Sequence, residues 1–302
     1  MAPVKKLKSW GQEIWQRWKE DDASTLAASV AFYAIFSLAP LLVLAVAIAA
    51  LVFGEQAAQG ELTSQLEEFV GSAGAEAFQT ILANAAQPGG GGIIATIISL
   101  AILIYGASKV FAQLQKSLNR IWDVRSDPDA GIKGLAWRHI TGFAMVFGIG
   151  VLLIALIALS TFLSNLQGFV GDVPGGATIW MTLNFVVQAG IITVLFAAIF
   201  RYIPQVQIEW SDVWLGAAFT AVLFLIGQFL LGIYLSQASP GSAYGAAGSL
   251  VALLAWLFFS VQILFVGAEF TQVYARRRDR QIRPDKNAVP ERLAYSSGEQ
   301  PA

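Results

Sequence analysis

The 302-residue chain has no cysteine and a single histidine, His139. The first absence excludes disulfides and thiolate metal sites; the second excludes a histidine dyad or a His-based metal centre. Charge is scarce too. Asp, Glu, Lys and Arg make up 13% of the chain, about half the fraction usual in soluble domains. Hydrophobic residues make up 56%, and the mean hydropathy is +0.61. No Gly-x-x-x-x-Gly-Lys phosphate loop occurs, which argues against an ATP-driven pump within this chain.

The most telling absence is of Lys and Arg from alternate loops. The charge-free run from Ala23 to Gly54 is longer than the apolar core of a secretory signal, about 7–15 residues, and reads as an uncleaved anchor. Further apolar runs follow at 93–117, 140–163, 179–200, 213–236 and 244–272, each long enough for a membrane core of about 30 Å. The 19 Lys and Arg residues lie before the first run, at the end of the second (Lys109, Lys116) or between it and the third, after the fourth, or beyond the sixth. The remaining loops hold only acids: Glu55, Glu61, Glu67, Glu68, Glu76 and Asp172. Cations near span ends are retained in the cytoplasm, so the pattern predicts six spans with both termini inside.

The expected architecture is therefore an all-α, polytopic membrane protein with six transmembrane helices and three parts. Residues 1–22 form a cytoplasmic amphipathic segment, with Leu7, Trp10, Ile14, Trp15 and Trp18 at helical spacing, suited to the membrane interface. Residues 23–275 form the membrane domain, interrupted by an external amphipathic segment at 55–92 that could dock an envelope partner. The tail 276–302 reads as basic and disordered. The bilayer is the expected partner. Nothing in the pattern specifies an oligomeric state or calls for a cofactor.

Polar residues within the apolar runs are the candidates for chemistry. Ser29, Tyr33 and Ser37 follow at +4 steps, with Pro40 three further on, so they share one face of a helix that Pro40 should kink. That face is expected to point into the bundle, either as interhelical hydrogen bonding or as the lining of a substrate path. Gln262, Glu269 and Arg276 repeat every seven residues along the last run. A carboxylate about 10 Å inside the interface has to be paired, protonated or hydrated. Lys109 enters the second run from the same side, so a Lys109–Glu269 ion pair is one expectation. The other is that Lys109 reaches the headgroups while Glu269 pairs with Arg276. Asp123, Asp127 and Asp129, beside Pro128, read as a solvated turn rather than a metal site.

The run Ala27-Ala28-Ser29-Val30-Ala31-Phe32-Tyr33-Ala34-Ile35-Phe36-Ser37-Leu38-Ala39-Pro40 resembles a signature of the YihY/BrkB-like family of bacterial inner-membrane proteins. So do Leu114–Trp122, which holds Asn119 and Arg120, and Arg201-Tyr202-Ile203-Pro204. Tyr244–Ser249, with Gly245 and Gly248, and Gly267-Ala268-Glu269 complete the set. The resemblance implies six spans and an undefined molecular role, under two labels: a tRNA-processing ribonuclease and a virulence-associated serum-resistance factor. The ribonuclease label fits these residues badly, because metal-dependent nucleases gather carboxylates and histidines. No nucleic acid and no enzymatic activity are expected. Transport or translocation of a small molecule or lipid is the leading expectation, and a non-catalytic membrane scaffold the alternative. No inverted internal repeat of the kind found in many transporters is visible, which weighs against the leading one.

Overall fold

The structure is a computed structural model that describes residues 2–35, 60, 75, 79, 92–127, 176–238, 248–278, 280, 282–286 and 288–290. Its elements in chain order are α1 (Ala2–Glu20), α2 (Ala23–Ile35), α3 (Gly92–Ile121) and β1 (Val124–Ser126). Then come α4 (Gly176–Tyr202), β2 (Val206–Gln207), α5 (Trp210–Ala238), α6 (Gly248–Arg277), β3 (Arg283–Pro284) and β4 (Ala288–Pro290). Three stretches are long and apolar enough to cross a membrane: Phe185–Tyr202 in α4, Trp210–Tyr234 in α5 and Leu250–Arg277 in α6. The expected run 93–117 lies within α3. The expected run 140–163 and the external segment 55–92, apart from three isolated positions and Gly92, lie outside the described residues.

Helices α4 and α5 are apolar all round, and many of their large side chains face outward, among them Phe185, Val194, Val222, Ile226, Phe229 and Leu230. Water would not tolerate so large an apolar surface, whereas lipid covers it at no cost. Helix contact in lipid needs close backbone approach instead, and the α5–α6 crossing supplies it. Gly216 of α5 lies under Thr271 of α6, and Gly267 of α6 lies under Thr220 of α5. Each threonine hydroxyl donates to the glycine carbonyl four residues earlier on its own helix, Thr220 to Gly216 and Thr271 to Gly267, both at 2.7 Å. The two Gly-x-x-x-Thr rows interlock reciprocally, with no hydroxyl left unpaired.

One end of the bundle gathers the arginines among the described residues and is called the basic end below. There α1 packs along α6: Trp10 contacts Phe270 and Tyr274 with ring centroids 5.9 and 6.0 Å apart, and Arg277 lies 4.9 Å over the Trp10 ring. Glu13 accepts from Arg277 at 2.5 Å. The amphipathic segment is thus docked on the bundle rather than resting only in the interface. Its last turn closes on Asp22, in the left-handed region with φ 52°, and this corner starts α2 at once.

The tail departs from the sequence expectation. Its described residues 282–286 and 288–290 complete two short sheets: β4 pairs antiparallel with β1, Val289 opposite Arg125, and β3 with β2, Gln207 opposite Arg283. Ile282 and Ala288 pack on the buried core. A Pro-rich, charged stretch reads as coil by composition, but Pro284 and Pro290 are accommodated at the edges of two-stranded ladders.

Candidate functional site

The deepest polar groups of the described structure converge where the α1–α2 corner, the end of α3 and the last third of α6 meet. Glu269 of α6 is fully buried, as are its neighbours Thr271 and Gln272. Neither carboxyl oxygen of Glu269 accepts an N–H or O–H bond from an amide, hydroxyl or cation. The group it touches is another carboxyl, that of Asp21, in hydrogen-bonding contact. A hydrogen bond between two carboxyls requires a proton between them.

Asp123 sits nearby with the opposite arrangement. It accepts from Gln272 at 3.0 Å and from Arg276, and Arg17 lies 3.6 Å away. Arg17 also donates to Gln272 at 3.2 Å. Asp123 takes φ 54° in the left-handed region, where it caps α3, its N–H donating to the Arg120 carbonyl at 3.0 Å. That conformation is uncommon for a residue with a side chain, though Asp tolerates it better than most. Here it swings the carboxylate beneath α6, so Asp123 is matched by cations while Asp21 and Glu269 have chiefly each other.

The electrostatics follow. Burial raises the Asp21 carboxyl to about 6, opposed by its hydrogen bond with Glu269, reinforced by the nearby Asp123 charge and reduced by Arg120 and Arg17. Asp21 therefore titrates near neutrality although it belongs to a residue type ordinarily ionised there.

Lys109 is not part of this cluster. Its side chain is exposed and its ammonium lies 5.3 Å over the Tyr105 ring. Arg276 is taken by Asp123, so neither expected cationic partner reaches Glu269. The Ser29–Tyr33 row is also placed differently from expectation. The buried row of α2 is Ala23, Ala27 and Ala31, with Val30 beside it. Ser29 lies two residues on from Ala27, about 200° around the helix. It donates to the Thr25 carbonyl at 2.9 Å on its own helix, and Tyr33 is exposed against Phe32 at 5.8 Å. Alanines let α2 approach its neighbours closely, and that outweighs turning two hydroxyls inward. Ser37, Pro40 and Gly245 lie outside the described residues, Gln262 is half-buried on α6, and Gly248 is buried at its start.

A second polar group flanks the α5 start. Asp212 is almost fully buried in its first turn, 3.1 Å from Arg280 and 3.9 Å from Arg278, and Glu209 also pairs with Arg280. Glu209, Asp212 and Arg280 line an open cavity of about 410 Å³ at the basic end; an adjoining one of about 560 Å³ is lined by Arg201, Pro204 and Arg283 among others. Neither is lined by Glu269. Among the described residues no group of three or more His, Asp or Glu side chains is placed to hold a metal ion.

The helical, membrane-capable chain is similar in sequence to known membrane proteins. The family model described as "Virulence factor BrkB" matches residues 14–292. The chain belongs to the BrkB family. Relatives include a UPF0761 membrane protein of Albidiferax ferrireducens, 27% identical over 268 residues, covering 86% of this chain and 61% of the relative. Another from Verminephrobacter eiseniae is 28% identical over 272 residues, covering 87% and 61%. The chain thus spans about three-fifths of the length of these relatives. A putative ribonuclease-like protein, YfkH, of Bacillus subtilis is 22% identical over 284 residues, covering 92% of this chain and 98% of its own. No solved structure matches the chain.

The BrkB-like blocks quoted from the sequence have structural positions. Asn119 is buried and exchanges two bonds with Gln205: its Nδ2 donates to Gln205 Oε1, and its Oδ1 accepts from the Gln205 N–H, both at 2.8 Å. Ser126 adds a 2.7 Å bond to Gln205 Oε1, and Gln115 donates to the Ile203 carbonyl at 3.0 Å. Pro204 is buried between them, where a missing N–H leaves no orphan donor. Arg120 is exposed. These residues bind the α3 end to the α4–α5 turn and support the cluster without entering it. Sequence reasoning singled out Glu269 but missed Asp21, Asp123, Arg17 and Gln272. One signal was available: Glu269, Gln272 and Arg276, at +3 and +4, make a polar strip on the end of a span.

Proposed function

We propose that this BrkB-family membrane protein moves a small molecule or lipid across a bacterial cytoplasmic membrane, through six spans with both termini on the cytoplasmic side. The observation that carries this reading is the fully buried Glu269, which meets a second acid instead of a cation. Ionisable groups inside membrane spans are costly, and where they persist they mark ion or substrate pathways. A carboxyl kept only for structure would be served better by the arginines nearby, which hold Asp123 instead. The experiment is substrate flux in proteoliposomes, screened over envelope lipids, ions and metabolites. Flux that Glu269→Gln abolishes while the protein stays folded supports transport; absence of flux throughout the screen contradicts it.

A scaffold reading, in line with the virulence label of the family, draws on a different observation. The docked α1 and the two strand pairs tie α1, β3 and β4 to the bundle and make the basic end a stitched surface. A protein that carries partners needs such a surface, and one that alternates between states needs less of it. The ribonuclease-like name of the Bacillus relative gains little here, since the acids of the cluster face each other and arginines.

A further inference from the structure

We propose that the Asp21–Glu269 pair is a proton-binding site that latches the α1–α2 corner onto α6, and that proton uptake there is the coupling step of transport. The latch stands on geometry alone; its role in coupling rests on the transport reading above. Two carboxyls from elements far apart in sequence are in contact, one of them fully buried and without any N–H or O–H donor. Such a pair holds its elements together only while it carries a proton, because two adjacent carboxylates repel.

The surroundings determine how the site responds. From α1 comes Arg17, from the α3 end Arg120 and Asp123, and from α6 Arg276. Arg276 is engaged by Asp123, Arg17 is shared with Asp123 and Gln272, and the exposed Arg120 offsets Asp21 only in part, so burial prevails. With one shared proton the pair carries a single negative charge in a buried setting. When Asp21 takes a second proton from solvent, that charge is cancelled and no co-reactant is needed. Asp21 accepts that proton near pH 6, raised there first by burial. The corner can yield to it, because Asp22 and Asp123 both bend the backbone through the left-handed region beside the pair. Acid thus tightens the corner onto α6 by cancelling the buried charge, and rising pH through about 6 weakens it by restoring that charge to the pair, which still shares one proton.

The cysteine-free sequence makes the test direct. Ala23 is fully buried beside the corner and Thr25 is exposed, so single variants Ala23→Cys and Thr25→Cys serve as probe and control. The readout is the maleimide labelling rate of the probe divided by that of the control, compared with the same ratio in Asp21→Asn, which carries the same two thiols and so accounts for their own titration. Between about pH 5 and about pH 8 this ratio should rise roughly tenfold, the factor that one unit of pKa difference between closed and loosened forms supplies. Asp21→Asn should flatten it; if that variant does not fold, Glu269→Gln should do the same. A ratio independent of pH in the otherwise unaltered protein overturns the latch, as does a rise that persists unchanged in a folded Asp21→Asn. Coupling has its own readout. A substrate flux indifferent to an imposed pH gradient overturns the coupling role, whereas pH-dependent labelling with no flux for any substrate overturns the transport reading and leaves the proton site standing.

Discussion

Thr271 on α6 occupies the space that a side chain on Gly216 of α5 would need, and Thr220 stands in the same relation to Gly267. At both points a threonine side chain of one helix packs directly on the glycine of the other. Gly216→Ala and Gly267→Ala should each destabilise the folded protein by about 1–3 kcal/mol, the usual cost of an added methyl in a packed interface. Thermal unfolding in detergent measures it. Combining Gly216→Ala with Thr271→Ala should restore part of the loss, since the second change removes the clash. Strict additivity would place the strain elsewhere.

Asn119 and Gln205 form a buried amide pair, with Ser126 as a third member. Asn119→Ala leaves the Gln205 backbone N–H without its acceptor and should cost about 1–3 kcal/mol. The α4–α5 turn should then become sensitive to limited proteolysis at residues 203–209. Arg120→Ala, at the adjacent exposed position, should change neither stability nor cleavage by comparison.

Truncation after Gln281 removes β3 and β4 and exposes the ladder edges of β1 and β2. The prediction is faster proteolysis at 124–127 and a lowered thermal midpoint. An unchanged cleavage pattern would mean that the tail contributes nothing to the basic end.

Lys109 lies over Tyr105 and away from Glu269. Lys109→Gln should therefore leave stability within about 0.5 kcal/mol of the parent, as usual for a surface change. Exchanging the charges, Lys109→Glu with Glu269→Lys, should not rescue the defect of Glu269→Lys. Rescue of expression by the exchange would argue that the two residues meet.

Much of the helical framework could be read from the order of apolar runs and charges. The runs at 93–117, 179–200 and 213–236 fall inside α3, α4 and α5, and the part of the last run from 248 to 272 falls inside α6, because a bilayer demands a helix of known length wherever charge is absent. Glu269 stood out for the converse reason. What stayed hidden depends on geometry that no period encodes. Asp123 reads as a solvated turn and no spacing marks Asp21, yet the left-handed corners at Asp22 and Asp123 bring both carboxyls to α6. The face of α2 was misread because alanine rows pack helices in lipid as well as hydroxyl rows do. The tail strands escaped notice because their partners lie far away, at 124–126 and 206–207.

The pair also sets a direction for stability against pH. Asp21 has a folded value near 6, above the ordinary 3.8, so the folded state binds its proton more tightly than the unfolded chain does. Stability should therefore rise as pH falls from about 6 toward about 4, and Asp21→Asn should remove that slope.

Infrared difference spectroscopy of the carboxyl C=O stretch tests the shared proton most directly. At neutral pH a protonated-carboxyl band is expected that disappears when Asp21→Asn and Glu269→Gln are combined. Lowering the pH through about 6 should increase that band, and Asp21→Asn alone should abolish the increase. A neutral-pH spectrum with no protonated carboxyl, from protein shown to be folded, would contradict the account.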